Sequence, residues 1–405
     1  MTKNKYLARH HHQPYARPML RPQHLRERYE ARYTHRPLLL RAPGRINLIG
    51  DHTDYNQGLV LPAAIDRSLY FALGPHPDPQ AVEVHSVNFD QTGHFHLDAL
   101  HLDPAGWLRY LQAVCRELQE HQYPLRGFRC VFGGNIPIGS GLSSSAALTC
   151  GLIAGLAQVQ AWKIPLPEVA RIAQAAEHRV GIRCGLMDQY AVLFGRANQV
   201  LQLDCRHLQV EHFPCDLGEY GLLLLNTKVE HELASTAYND RRASCERVLE
   251  VLRRQYPEVE SLRDVRPEQL RGQAPDLAED LRRVRFVLSE NERVSATTVA
   301  LQRGDLPRVG QLLYASHEGL SREYEVSCPE LDVLVELARG ETAILGSRMM
   351  GGGFGGCTIN LVRRDAAAEL SQRLLAEYAA RTGIVGEAYV VQPADGLEVL
   401  EPWLG

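Results

Sequence analysis

The sequence predicts an α+β protein, or a mixed α/β one, built as two domains. Three observations carry this. The chain has 405 residues, more than one hydrophobic core ordinarily serves. Strand-like apolar runs alternate with helix-period runs over most of its length. Beyond a boundary near Cys215–Tyr220 the composition shifts to charged, helically spaced segments. The expected units are a polar tail over 1–34, a first domain over 35–217 and a second over 218–405.

The tail is polar and basic, contains His10-His11-His12, and has room for one helix near His24–Tyr33. An apolar strand begins at Leu38–Leu40, and Leu59–Ile65 and Ser68–Leu73 follow as strands interrupted by Gly and Pro. Trp107–Glu120 has helical spacing. Phe128–Phe132 reads as a strand and Ala146–Val159 as a helix. Pro165–Arg179 places Ile172, Ala176 and Val180 on one helical face. Strands follow at Gln199–Asp204 and at the leucine-rich Tyr220–Thr227. A charged amphipathic helix over Tyr238–Gln255 leads to three more helical stretches, Asp276–Leu288, Asn291–Arg303 and Leu306–Ser321. Met349–Val362 is glycine-rich loop and strand, Ala366–Thr382 a helix and Glu387–Gln392 a closing strand.

Bulk composition excludes several function classes. Apolar content of 45% and charged content of 23% are globular values. A net charge of −4 gives no reason to expect nucleic acid or an anionic membrane as partner. No apolar run reaches the ~18–20 residues of a spanning helix, and the N-terminus has no signal-peptide core. Nine dispersed cysteines without a CxxC pair point to reduced thiols in the cytoplasm and argue against zinc.

Three segments carry chemistry. The first is Gly44-Arg45-Ile46-Asn47-Leu48-Ile49-Gly50-Asp51-His52-Thr53-Asp54-Tyr55-Asn56. Its arginine, histidine and acids on a short turn suit a polyhydroxylated ligand, although a polar turn with local Asx bonds reads the same way. The second is Pro137-Ile138-Gly139-Ser140-Gly141-Leu142-Ser143-Ser144-Ser145-Ala146-Ala147. Glycines admit close backbone approach, and the hydroxyls stand at a helix start, where orphan N–H groups attract an anion. Such a loop alone is equally a solvated turn. The third is Arg348-Met349-Met350-Gly351-Gly352-Gly353-Phe354-Gly355-Gly356-Cys357. So many glycines form either a linker or a backbone surface facing a ligand, and the apolar Thr358–Val362 that follows disfavours a linker. None of the four lysines (Lys3, Lys5, Lys163, Lys228) follows a glycine, so a Walker A loop is excluded. The protein-kinase His-Arg-Asp triplet is absent too.

In this order and at these separations, the segments resemble the GHMP small-molecule kinase superfamily. The first resembles the signature of its galactokinase branch. Cys184-Gly185-Leu186-Met187-Asp188-Gln189-Tyr190 and Leu203-Asp204-Cys205-Arg206 are similar to further family segments, so the likeness covers roughly residues 35 to 395. The resemblance implies a ribosomal protein S5 domain 2-like N-terminal domain, a ferredoxin-like C-terminal domain and an active site between them. It implies ATP-dependent phosphorylation of the anomeric hydroxyl of galactose, in a monomer. Kinases of related sugars such as N-acetylgalactosamine or arabinose, and a non-catalytic galactose/ATP sensor, are the alternatives. The retained Ser145-Ala146 speaks against the sensor.

Residue by residue, the resemblance implies Asp188 and Arg45 as the catalytic pair, a carboxylate to take or orient the hydroxyl proton and a guanidinium beside it. It implies Asp51, His52, Asp54, Gly185 and Tyr238 for the sugar. ATP is implied along Gly139, Ser140, Gly141, Leu142, Ser143, Ser144, Ser145 and Ala146, with Mg²⁺ on Ser145 and Glu177. Trp107, with Ser86 and Asn88, is expected to wall the adenine. Two departures stand out. Asp51 occupies a position usually held by Glu, and the segment between Glu177 and Asp188 is one residue short.

Overall fold

The computed structural model describes residues 20–103, 105–230 and 234–403. Its largest sheet has six strands, in the order Glu398–Glu401, Leu38–Asn47, Pro62–Pro75, Phe128–Gly134, Ala81–Ser86, Gln91–His96. All neighbours are antiparallel except Ala81–Ser86 and Phe128–Gly134, which run parallel. Strand alternation sorts the apolar residues. Leu38 and Leu40 enter the main core, while Leu39 faces the opposite way, against Leu25 and Tyr29.

The helix Ser144–Val159 lies on this sheet. Its approach depends on Gly151, where a Cβ would stand 2.4 Å from a Phe71 ring carbon. The helices Leu108–Glu120 and Leu166–Arg179 pack beside it. A three-stranded sheet of Leu59–Val60, Gln199–Asp204 and Gln209–Pro214 flanks the layer.

The second domain is built on an antiparallel sheet ordered Ile344–Met349, Gly355–Arg363, Tyr220–Glu230, Glu387–Val391. The helices Pro329–Arg339 and Ala367–Thr382 pack on it through Leu334, Leu370, Leu374 and Tyr378. This is the expected ferredoxin-like arrangement. A separate cluster around Leu252, Val284 and Tyr324 holds the charged helices together.

Several elements differ from the sequence reading. The N-terminal helix spans Pro22–Glu30 and is docked rather than part of a tail, with Leu25 and Tyr29 fully buried. His10-His11-His12 lie outside the described residues. The stretches Asp276–Leu288 and Asn291–Arg303 are one helix, Ala278–Gln302, because Ser289-Glu290-Asn291 is polar but not helix-breaking. Residues 218–405 do not stay in the second domain. Glu398–Glu401 returns to pair with Leu38–Asn47 in the first sheet. The Ala81–Ser86/Gln91–His96 hairpin, the strands Gln209–Pro214 and Ile344–Met349, and the helices Met187–Phe194 and Pro329–Arg339 have no counterpart in that reading.

Candidate active site

The three sequence segments converge on one cleft of about 590 Å³. The strand Leu38–Asn47 delivers Arg45. The Arg45 backbone N–H donates to Leu142 O at 3.1 Å, so the strand carries the serine loop on its own backbone. Gly44 permits this contact, because a Cβ there would meet Leu142 O at 2.8 Å. The third segment closes the opposite wall. Gly351 and Gly356 each come within 3.4 Å (measured from an ideal Cβ) of serine-loop backbone oxygens.

The serine loop turns sharply. Gly139 and Gly141 have positive φ, and Ser143, the residue capping helix Ser144–Val159, also lies in the left-handed region at φ 57°. This strained turn aims the first-turn N–H groups into the cleft. Gly139, Ser140, Gly141, Leu142, Ser143, Ser144 and Ser145 line it, while Ala146 is buried beneath them.

Asp188 sits in the first turn of helix Met187–Phe194. Arg45 Nε donates to Asp188 Oδ1 at 2.8 Å, and Ser143 Oγ donates to Oδ2. Arg45 Nη1 donates to Gly141 O at 2.5 Å. The carboxylate is therefore oriented on both oxygens yet stays partly open to the cleft, while Arg45 is buried.

Asp54 and Gly185 meet. A Cβ on Gly185 would lie 2.1 Å from Asp54 Oδ2, so only glycine fits there. Asp54 is half-buried. Burial, with Asp188 nearby, pushes its carboxyl up to about 6. His52 packs 5.3 Å from the Tyr238 ring, and its Nδ1 bonds Tyr55 Oη at 2.7 Å. Tyr55 Oη in turn bonds Tyr324 Oη at 2.8 Å. His52 is buried, with the Gly352 backbone beside its ring. Burial lowers the imidazole to about 4, so it is neutral at physiological pH.

Asp51 is buried more completely than a ligand-binding acid requires. Asn47 Nδ2 donates to it at 2.6 Å, Arg348 Nη1 at 2.5 Å and the Gly351 N–H at 3.0 Å. Arg348 is itself fully buried and donates to Asn47 O and Leu48 O. The Arg348–Asp51 pair thus ties the first segment to the third. Behind it, Gly50 N–H donates to the buried Glu290 at 3.0 Å.

Ser145 Oγ donates to Glu177 Oε2 at 3.0 Å, and Gln189 Nε2 to Oε1 at 2.9 Å. The shortened segment after Glu177 does not separate the pair. Between them, Gly181 lies at φ +105° and Gln174 Nε2 donates to Cys184 O at 3.1 Å. Burial, reinforced by Asp188, pushes Glu177 up to about 7. A desolvated carboxylate beside a hydroxyl and a second carboxylate is a donor set for a hard divalent cation. Among the described residues no cluster of three His, Cys, Asp or Glu could hold a metal by itself.

Of the three residues expected at an adenine wall, none lines this cleft. Trp107 packs edge-on against Phe132, whose register partner is Ser86. Asn88 clamps Gly134, donating at 3.0 Å and accepting at 2.8 Å. Sequence reasoning did not single out Arg109, Tyr55, Tyr324, Glu290 or the Arg348–Asp51 pair. Of these, Tyr55, Asp51 and Arg348 lay inside a quoted segment.

Comparison with known proteins follows the same geometry. The galactokinase galactose-binding signature matches residues 27–75. The N-terminal and C-terminal GHMP kinase domains match residues 109–196 and 297–380. A galactokinase of Chloroflexus aggregans is 42% identical over 348 residues, 85% of this chain and 89% of that relative. One from Thermotoga maritima is 37% identical over 361 residues, 89% and 99% of the two chains. The crystal structure of Lactococcus lactis galactokinase complexed with galactose superposes with a TM-score of 0.87 at 32% identity, covering 93% and 98%. A mevalonate kinase structure at 17% identity and a TM-score of 0.61 shares the fold.

Proposed function

Because the chain belongs to the galactokinase family, we infer that it transfers the γ-phosphoryl group of ATP to the anomeric hydroxyl of galactose. The products are α-galactose 1-phosphate and ADP. The observation that carries this reading is the Arg45–Asp188 pair, held at 2.8 Å, where the galactose-signature strand meets the serine loop.

Galactose takes the end of the cleft bounded by Asp54, His52, Gly185 and Tyr238, with Asp51 braced beneath. Asp54 accepts from sugar hydroxyls, and His52 supplies one further bond. A site built for hydroxyls rejects analogues lacking them. ATP lays its phosphates along Gly139–Ser145. Asp188 holds the anomeric hydroxyl and receives its proton as the oxygen bonds to γ-phosphorus and the bond to the β-phosphate oxygen breaks. Arg45 keeps that carboxylate aimed and offsets charge on the moving phosphoryl group. Ser145 and Glu177 would hold Mg²⁺, which when bound neutralises phosphate charge.

We place the chain in the cytoplasm on the support of its nine free cysteines. Asp51 is one methylene shorter than the usual Glu and has its oxygens committed. That observation favours a second reading, acceptance of a related sugar such as N-acetylgalactosamine or arabinose. A coupled ADP assay with Mg-ATP over a panel of C1-hydroxyl sugars decides between them. The highest kcat/KM is expected for galactose, and turnover of another sugar without galactose would overturn the assignment.

A further inference from the structure

We propose that Tyr324 is a positioning residue for the sugar half of the cleft: its hydroxyl, acting through Tyr55, fixes His52 as the tautomer protonated on Nε2. The inference rests on the kinase reading for the identity of the sugar, because it concerns how that kinase's histidine is presented to galactose.

The observation is a chain of hydrogen-bonding side chains that leads from His52 into the helices of the second domain. His52 lines the cleft, and its Nδ1 meets Tyr55 Oη at 2.7 Å. Tyr55 Oη meets Tyr324 Oη at 2.8 Å. Tyr324 Oη meets Cys245 Sγ, on helix Ala234–Gln255, at 3.3 Å. That sulfur accepts from Asn56 Nδ2 at 3.7 Å, and the same amide donates to His52 O at 2.8 Å. The chain therefore starts and ends in the sugar segment. Tyr324 is fully buried just beyond helix Leu306–Arg322, and Arg241 Nε donates to its carbonyl at 2.8 Å. Its ring also packs 4.9 Å from that of His52.

The supply of protons sets the direction of the chain. Each phenol has one proton to give, and burial pushes both well above their ordinary ionisation, so each keeps it. Tyr324 Oη has two oxygens in reach, Tyr55 Oη at 2.8 Å and Arg241 O at 3.4 Å. The shorter contact takes the proton. Tyr55 Oη then accepts from Tyr324, and its own proton goes to His52 Nδ1. A neutral imidazole that accepts at Nδ1 carries its proton on Nε2. Cys245, whose sulfur already accepts from Asn56, is free to give its thiol proton to Tyr324 Oη. His52 thus offers the sugar a donor, whereas the ionised carboxylates of Asp54 and Asp188 only accept. Without the Tyr324 hydroxyl, Tyr55 Oη is equally able to accept a proton from Nδ1, and the tautomer is no longer fixed.

The test is nitrogen NMR of the full chain with labelled histidine, without ligand and near neutral pH, on the wild type, Tyr324→Phe and Tyr55→Phe. Among the 17 histidines, the His52 signals are those that vanish in His52→Gln. Protonated and bare ring nitrogens are well separated in shift, and wild-type His52 should be the Nε2–H form alone. Tyr324→Phe keeps the ring and removes only the hydroxyl, and it should show a mixture with the Nδ1–H form. In steady state, KM for galactose should rise about three- to tenfold in each single variant, with kcat within about threefold and KM for ATP within about twofold. Because the hydroxyls act in series, the double variant should lie within about twofold of the weaker single one. An Nδ1–H form in the wild type, or an unchanged tautomer in Tyr324→Phe, would overturn the proposal. So would additive effects of the two substitutions, or an equal rise in both KM values, which a merely structural role would produce. Failure of the kinase reading would appear instead as no ADP formed from galactose by the wild-type chain, and it would leave the tautomer measurement as the deciding one.

Discussion

At the scale of single residues the chemistry depends on which acids are ionised and which are held. Asp188 is oriented by Arg45 and Ser143, so its removal deletes the group proposed to receive the proton. Asp188→Ala should lower kcat by about 10²–10⁴-fold, with ATP affinity within a few-fold of wild type by titration calorimetry. Retained turnover would remove Asp188 from the role assigned to it. Asp54 sets the acid limb for the sugar. Its carboxyl is pushed up to about 6 by burial and Asp188, and only the ionised form accepts from two hydroxyls. The kcat/KM for galactose should therefore decline as pH falls through about 6, and Asp54→Asn should abolish that limb along with most of the activity. His52 makes a contribution to stability that also weakens in acid. It binds a proton near 6.5 when unfolded and only near 4 when folded. Between those values the unfolded chain holds more protons, so stability is lost as pH falls from 6.5 to 4. Asp54, raised when folded, offsets part of this between about 6 and 4. The thermal midpoint of His52→Gln should depend less steeply on acid than that of the wild-type chain.

At the scale of elements, the glycine-rich segment before strand Gly355–Arg363 is a rigid wall rather than a hinge. Gly353 lies at φ +82°, and a Cβ there would stand 2.1 Å from Val326 O. Gly353→Ala is expected to cost about 1–3 kcal/mol from backbone strain, with the clash adding to it. A urea titration measures this, and an unchanged midpoint would show that the loop can relax. Gly185 acts differently. Its missing Cβ is the space that the Asp54 carboxylate occupies, so Gly185→Ala should raise KM for galactose at least tenfold while KM for ATP stays within about twofold. The serine loop also depends on its support. Its geometry is held from below by the Arg45 N–H to Leu142 O bond and from the side by Gly351 and Gly356.

At the scale of the whole molecule, the two domains are joined through a buried ion pair at the site itself. Arg348, from the second sheet, reaches Asp51, Asn47 O and Leu48 O of the first domain. Arg348→Met should destabilise the chain by about 3–5 kcal/mol, because it leaves the Asp51 carboxylate buried without its partner. The double variant Arg348→Met/Asp51→Asn should regain part of that loss in denaturant unfolding. If it does not, the pair is not coupled as the geometry implies. The final strand adds a second tie by pairing Glu398–Glu401 with Leu38–Asn47.

By itself the sequence determined the class of the protein and the three site segments, and its family resemblance offered Arg45 and Asp188 as the reacting pair. Those features are local. Arg45, Asp188, Ser145 and Glu177 each sit in a short motif whose spacing is set by a strand end, a turn or a helix start. The long apolar and helix-period runs were legible for the same reason, since periodicity reports one exposed face. Tertiary structure alone decided what depends on contacts far apart in the chain. Whether Asp51 faces the sugar or Arg348 is set by a residue 297 positions away. Ser145 and Glu177 meet only because the two helices that carry them pack together. The last strand, four residues long and partly exposed, has no periodicity to betray it and is defined by pairing with Leu38–Asn47. Burial, which moves Asp54, Glu177 and His52 away from their ordinary ionisation, is a property of the assembled cleft and is written in no single segment.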